Sequence, residues 1–438
     1  MLGAVALTAA VLPAQANAAP AAPVTASAID PIDPSTPEGT YTALTPTRIL
    51  DTREGNGAPK APLGANQTLH LQVSGRGGVP ATGVSAVVLN LTATGPTSSG
   101  YLTVYPTGVA RPVVSNINFT AGWTGANAVT VPLGTGGKID IFNPAGNISV
   151  IADVVGYYAT KTAATKGGNY RELIPGRVLD TREDGFGPVG PFDPVWVAVT
   201  IGDGSNDSHV RAFAVNITAV NGSLGGYLTA WNGVGNPPTA STLNFGRNVA
   251  VPNFAVVPTA PCNWDNCGAA PMIGIYNGSG GTTHIIVDVV GYYDDGTLGG
   301  LRFNPITPTR ITDTRSAGQH ALGPASTTAF PASAVTGENT YSLVTNVTGI
   351  DPSNSTYLTL WSGEGSRPLV SNLNLLPHEV RANAAYVGVD NNFKYSVFNP
   401  ANTVHMALDV TGTFELPVAP AAASAIVAQP AVGTAHRS

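Results

Sequence analysis

The residues in this chain best suited to chemistry are carboxylates and guanidiniums that recur at fixed places. The pattern R-x-x-D-T-R stands at Arg48 to Arg53, Arg177 to Arg182 and Arg310 to Arg315. Each copy is answered downstream by an aspartate inside an apolar run: Asp153 in V-I-A-D-V-V-G-Y-Y, Asp288 in I-I-V-D-V-V-G-Y-Y and Asp409 in M-A-L-D-V-T-G-T-F. Two neighbouring carboxylates could divide acid and base roles in a hydrolysis. The competing chemistry is a structural clasp. Side chains alternate faces along a strand, so Asp153 shares its face with Ile151 and Val155, and Asp288 with Ile286 and Val290. A carboxylate buried there without a partner is costly or becomes protonated. A guanidinium neutralises it through a two-pronged fork, and the only arginines present in all three copies are the two of the motif.

Asp153, Asp288 and Asp409 are therefore expected to pair with Arg48 or Arg53, Arg177 or Arg182, and Arg310 or Arg315, of their own module or of the next. Asp51, Asp180 and Asp313 are expected to accept from backbone amides of their own turns. Both acids then have neutralising partners, which favours the clasp over an active site. A triad or a zinc site needs histidine or cysteine at a fixed place. Only His284 and His405 correspond, each four residues before the strand aspartate, with Ser149 in the first copy. Four strand residues span roughly 13 Å, too far for a hydrogen bond. Asp203-Gly204-Ser205-Asn206-Asp207 reads as a polar hairpin turn or a calcium loop and occurs in one copy alone. No enzymatic activity, cofactor or metal site is expected.

The elements that must position these groups follow from the spacing. The motifs start 129 (177 − 48) and 133 (310 − 177) residues apart, too long for a solenoid repeat and right for one compact domain. Charged residues make up only 11% of the chain, against about 25% in a typical protein. With 51 glycines and 36 prolines among β-branched runs, long helices have no room. The expectation is an all-β protein of three tandem homologous β-sandwich or barrel-like modules, without substantial helix outside the N-terminal segment. Modules are placed at 40–160, 170–296 and 297–416. Residues 1–18 read as a signal peptide, 19–39 as a disordered Ala/Pro linker and 417–438 as a disordered tail. The formal charge of −6 and pI near 5.6 argue against nucleic-acid binding. No 18-residue apolar run follows the N-terminal segment, so no spanning helix is expected. Cys262 and Cys267, the only cysteines, are expected to form a disulfide in an exported chain. A metal clip would need two further ligands. So short a loop stabilises by about 2 kcal/mol.

Each module repeats an N-x-T strand (Asn90, Asn216, Asn346), a Y-L-T strand and an S-x-x-N segment. The Y-L-T strand carries two aromatics on one face: Tyr101 and Tyr105, Tyr227 and Trp231, Tyr357 and Trp361. With Asn118, Asn244 and Asn374 they could form a platform for sugar rings. The competing fate is packing under a loop or against a neighbouring module. The N-x-T asparagines are expected to bond a neighbouring backbone group.

R-I-L-D-T-R at Arg48, G-Y-L-T-V-Y-P at Gly100, R-P-V-V-S-N-I-N-F at Arg111 and A-D-V-V-G-Y-Y at Ala152 resemble a family of exported actinomycete repeat proteins over nearly all of residues 40–416. In that family such modules occur alone or appended to secreted hydrolases, which implies an accessory role; the resemblance supplies no ligand and no functional residues. Asn236-Pro237 departs from the Arg111-Pro112 pair that Arg367-Pro368 keeps. The expected function is exported, non-catalytic, multivalent recognition of a cell-wall or environmental polysaccharide. The alternative is a structural or assembly protein of the envelope, with the modules closed pseudo-threefold and the Arg–Asp pairs crossing module boundaries.

Overall fold

The computed structural model describes residues 31–183, 185–418 and 430–436. The proposed signal segment and linker residues 19–30 lie outside them. Among the described residues there is no α-helix, only a short 3-10 turn at Asp207–His209. The chain is all-β.

Each module is two antiparallel sheets face to face. One sheet holds the opening strand, the closing strand, the N-x-T strand and a further asparagine-bearing strand, in that order. The opening strands are Tyr41–Asp51, Tyr170–Asp180 and Arg302–Asp313, and the closing strands Ser149–Ala159, His284–Tyr293 and His405–Glu415. The other sheet runs from an edge strand (Gln67–Gln72, Pro194–Ile201, Ser326–Pro331) through an inner strand to the Y-L-T strand and a three-residue strand. Numbered within a module, the orders are 1-8-3-6 and 2-7-4-5, which is the connectivity of an eight-stranded jelly roll.

Burial on both faces explains the near-continuous apolar character of the N-x-T and closing strands. In Val84–Thr94, Val87, Leu89 and Leu91 point into the module's own core, while Ala86 and Val88 enter a second core shared by all three modules. That shared core holds Tyr41, Tyr158, Tyr170, Tyr293, Phe303, Tyr386 and Phe414. The hydroxyls of Tyr158, Tyr293 and Tyr386 meet there in a triangle of 2.5, 3.2 and 3.2 Å. The glycine of V-G-Y-Y is needed for this packing. A Cβ on Gly156 would stand 2.0 Å from the Tyr41 hydroxyl, and Gly291 faces Tyr170 in the same way.

The modules close into a ring, because each contact recurs in cyclic order. Asn90 Nδ2 donates to the Ser241 carbonyl at 2.6 Å, Asn216 to Ser371 at 2.7 Å and Asn346 to Ser115 at 2.6 Å. Module one thus reaches two, two reaches three, and three returns to one. Backbone contacts close the same circle: the Tyr41 amide donates to Gly168, Tyr170 to Leu301 and Phe303 to Gly39.

Two terminal expectations need correction. Residues 31–39, expected as linker, are bound into the ring. Arg302 is buried and donates to the carbonyls of Asp33, Pro34 and Thr36, and Ile32 is buried. In the expected tail, Ala431–His436 is a strand paired with the module-two edge strand. Residues 419–429 lie outside the described residues.

Candidate binding clefts at the module seams

The opening and closing strands place the repeated charges opposite each other. Arg48 faces Asp153 in the ladder, Arg177 faces Asp288 and Arg310 faces Asp409. Each arginine makes the fork: Arg48 Nε and Nη2 donate to the two Asp153 oxygens at 2.9 and 3.2 Å, Arg177 to Asp288 at 2.9 and 3.4 Å, Arg310 to Asp409 at 2.7 and 3.0 Å. The second arginine goes elsewhere. Arg53, Arg182 and Arg315 fork onto Asp51, Asp180 and Asp313, with Nη2 at 2.6 to 2.7 Å, and their own amides donate to the same carboxylates at 3.0 to 3.1 Å. Each pair of first arginine and closing aspartate sits within its own module. The expectation that these pairs cross boundaries under the assembly reading is not met; the asparagines cross instead.

The electrostatics follow from this placement. Burial pushes the carboxyls of Asp153, Asp288 and Asp409 above their ordinary range, with the arginine fork acting in the opposite direction. Hydrogen bonds from Arg53 hold Asp51 low; against burial, those from Arg182 and Arg315 hold Asp180 and Asp313 low as well. The motif threonine completes the clasp. Thr52, Thr181 and Thr314 accept the amides of Val150, Ile285 and Met406 at 3.0, 3.0 and 2.8 Å. His284 and His405 lie with Nδ1 3.0 Å from the Thr181 and Thr314 hydroxyls, so their correspondence reflects this contact.

The Y-L-T strand is divided between two fates. Tyr101 and Tyr227 are each 37% exposed, whereas Tyr105, Trp231 and Trp361 are only 6%, 3% and 8% exposed; Tyr357 is half-buried. A two-ring platform is therefore not presented. The loop after the strand folds back over its second half, held by Thr103, Thr229 and Thr359, whose hydroxyls donate to the carbonyls of Val114, Ala240 and Val370 at 2.8, 2.9 and 2.5 Å. Asn118, Asn244 and Asn374 pair directly across from the tyrosines, and each accepts from a serine hydroxyl of its S-x-x-N segment at 3.1 to 3.5 Å. Arg111 and Arg367 lie 3.6 Å over the rings of Phe142 and Phe398 in their own modules, which accounts for the arginine before proline.

Ring closure brings these groups together in a way that no single module could. At the first seam, Arg48 and Arg53 of module one line a cleft of about 240 Å³ with Thr92, Thr124, Tyr227 and Asn244. At the second, Arg177 and Arg182 line one of about 270 Å³ with Thr218, Tyr357, Arg367 and Asn374. At the third seam the Ser115 amide of module one reaches Asp409 Oδ2 at 3.3 Å. In every clasp two guanidiniums balance two carboxylates, all of the latter buried except the half-buried Asp313, so it offers donors without net charge.

Sequence reasoning named Asn90, Asn216 and Asn346 but missed the second asparagine at each seam. Asn253 Nδ2 donates to Asn90 Oδ1 at 3.1 Å, Asn383 to Asn216 at 3.0 Å and Asn127 to Asn346 at 2.7 Å. The available signal was an asparagine nine residues after Asn118, Asn244 and Asn374 alike (127 − 118, 253 − 244, 383 − 374). Cys262 and Cys267 are joined as a disulfide. Among the described residues no group of three or more His, Cys, Asp or Glu side chains could hold a metal ion, and no helix is long and apolar enough to cross a membrane.

This geometry defines the class: an all-β protein of three jelly-roll modules in one closed ring. No protein-family model matches the chain, and no curated protein matches it. Among solved structures it is similar to one described as the triple jelly roll fold and turret assembly in an archaeal virus. The alignment covers 87% of this chain and 91% of that one, at 9% identity and a TM-score of 0.16.

Proposed function

We propose that this chain is an exported, non-catalytic protein that recognises polysaccharide at the seams between its modules. The observation that carries the reading is the repeated cleft, where the exposed or half-buried tyrosine of one module stands beside the clasp guanidiniums of the module before it. Threonine hydroxyls, asparagine amides and arginine N–H groups suit the hydroxyls of a sugar, and one tyrosine face suits its apolar side. Clefts of about 240 and 270 Å³ are below the ~300–1,000 Å³ of ordinary ligand pockets, a size for one ring of a polymer. Each site is weak alone, and repetition on one rigid body raises overall affinity without new contacts. The disulfide favours an oxidising compartment. The polymer is a component of the cell wall or of the growth substrate.

The test is a pull-down on purified envelope together with a glycan array. Replacing Tyr101, Tyr227 and Tyr357 together by alanine is expected to abolish retention while the thermal transition stays within a few degrees. Retention unchanged by the triple substitution refutes the reading. An assembly role within the envelope is the second reading, favoured by ring closure through buried asparagines. It is the one left standing if no glycan binds and the protein co-fractionates with envelope at fixed stoichiometry.

A further inference from the structure

Module two differs from its siblings in how its sandwich is closed along one side. In module one the mouth between the opening and edge strands is filled by the module's own loop. Val79 is buried there, and a Cβ on Gly77 would stand 2.7 Å from Ile49 and Val154. In module three Ala332 is buried and Val335 packs on the module core. The corresponding stretch of module two, 202–209, is polar and contains the 3-10 segment Asp207–His209, of which no residue is buried. The strand Ala431–His436 covers the mouth instead, from beyond module three. It runs antiparallel along Pro194–Ile201, with Ile201 opposite Ala431 and Trp196 opposite His436.

The fit is selective. Ala431 and Ala435 pack on the module-two core, while Val432, Thr434 and His436 face outward. Between the two alanines, a Cβ on Gly433 would meet the Val178 carbonyl oxygen at 2.2 Å. Only a strand of the form small-x-Gly-x-small can lie so close to both sheets. At its end the His436 ring stacks on Trp264 at 5.1 Å and 12°. Trp264 belongs to the disulfide loop, so the two features peculiar to module two meet there.

We propose that this groove is a strand-acceptor site, and that it takes in trans the Ala431–His436 segment of a second copy of this chain. A sheet edge that binds an added strand gains backbone hydrogen bonds whichever chain supplies it. No large side chain of the donor is buried, so the ladder itself provides most of the hold. Twelve residues, 419–430, separate the donor from Val418, enough to span up to about 40 Å. Each chain carries one donor and one acceptor, and mutual exchange closes a dimer with both grooves filled.

The test uses two full-length chains, one with Thr200→Cys and the other with Val432→Cys, distinguished by mass. These positions face each other in the ladder, so a disulfide between the two chains forms only when the strand of one lies in the groove of the other. A mixed pair well above the level of like pairs is expected on oxidation of an equimolar mixture. Adding Gly433→Val to the Val432→Cys chain is expected to remove it. A labelled peptide of residues 430–436 should bind a Gly433→Val chain and fail to bind when it carries the same substitution. Absence of the mixed pair overturns the second copy as partner even if the peptide binds, and absence of peptide binding overturns the acceptor site.

Discussion

At the scale of single residues, the clasp turns on removing charge without leaving its partner stranded. Arg48→Ala leaves Asp153 buried and unpaired, and such a loss costs about 3–5 kcal/mol. Replacing both members, Arg48→Met with Asp153→Leu, is expected to cost much less. Chemical denaturation of the three chains reads the difference, and equal losses would mean that the fork itself is the stabilising element. Glu172 provides a second test. It stands at the seam of modules two and three, accepts from the Ser342 hydroxyl at 2.7 Å, and burial pushes its carboxyl up to about 7. The folded state then holds a proton that the unfolded chain releases above its ordinary value of 4.5. Its contribution is fully present below that value and is lost as pH rises through about 7. Glu172→Gln is expected to flatten this part of the stability profile, measured as thermal midpoint against pH from 4.5 to 8. The carboxylates of Asp51, Asp180 and Asp313 have the opposite sign and weaken the fold only as pH falls below their ordinary value of 3.8.

At the scale of elements, the Y-L-T strand shows how a repeated pattern can hold two different roles. Its first tyrosine lies at a seam and its second aromatic lies beneath a loop, so alanine at the two positions should behave differently. Tyr227→Ala is expected to leave stability nearly unchanged. Trp231→Ala, which empties a buried site against Trp196 at 6.4 Å, should cost about 3–5 kcal/mol. Thermal unfolding of the two variants separates the roles, and equal losses would place Tyr227 in the core. The disulfide loop is a smaller device. Cys262→Ser with Cys267→Ser is expected to lower stability by about 2 kcal/mol, read by denaturation under non-reducing conditions. The alternation in each strand was legible in the sequence because period-two patterning is local. Burial of the second ring was not, since it depends on where the loop after the strand returns (107–116, 232–242, 362–372).

At the scale of the molecule, the ring makes the three modules interdependent. Each presents Tyr, Val and Ala side chains to the shared core, joined by phenylalanine in modules two and three, a patch that an isolated module would leave in water. Calorimetry of the whole chain is expected to show one cooperative transition, and residues 40–160 alone should aggregate or bind a hydrophobic dye. Three separate transitions would show instead that the seams contribute little. The buried asparagines give the ring its register, because Asn90, Asn216 and Asn346 find their carbonyl partners only when the modules follow one another in cyclic order.

The amino-acid sequence by itself determined the number of modules, their all-β character and the guanidinium–carboxylate pairing of each clasp. Those properties rest on local periodicity and on a charge that must be neutralised once buried, and both can be counted along a chain. The choice between the two motif arginines depended on strand register, which sets Arg48 opposite Asp153 while Arg53 turns back to Asp51. The seam clefts, the tyrosine triangle and the borrowed strand of module two were decided only in three dimensions. Each joins residues more than ninety positions apart: burial of one apolar face per module against the other two brings together the clefts and the triangle, and packing on the module-two core seats the strand.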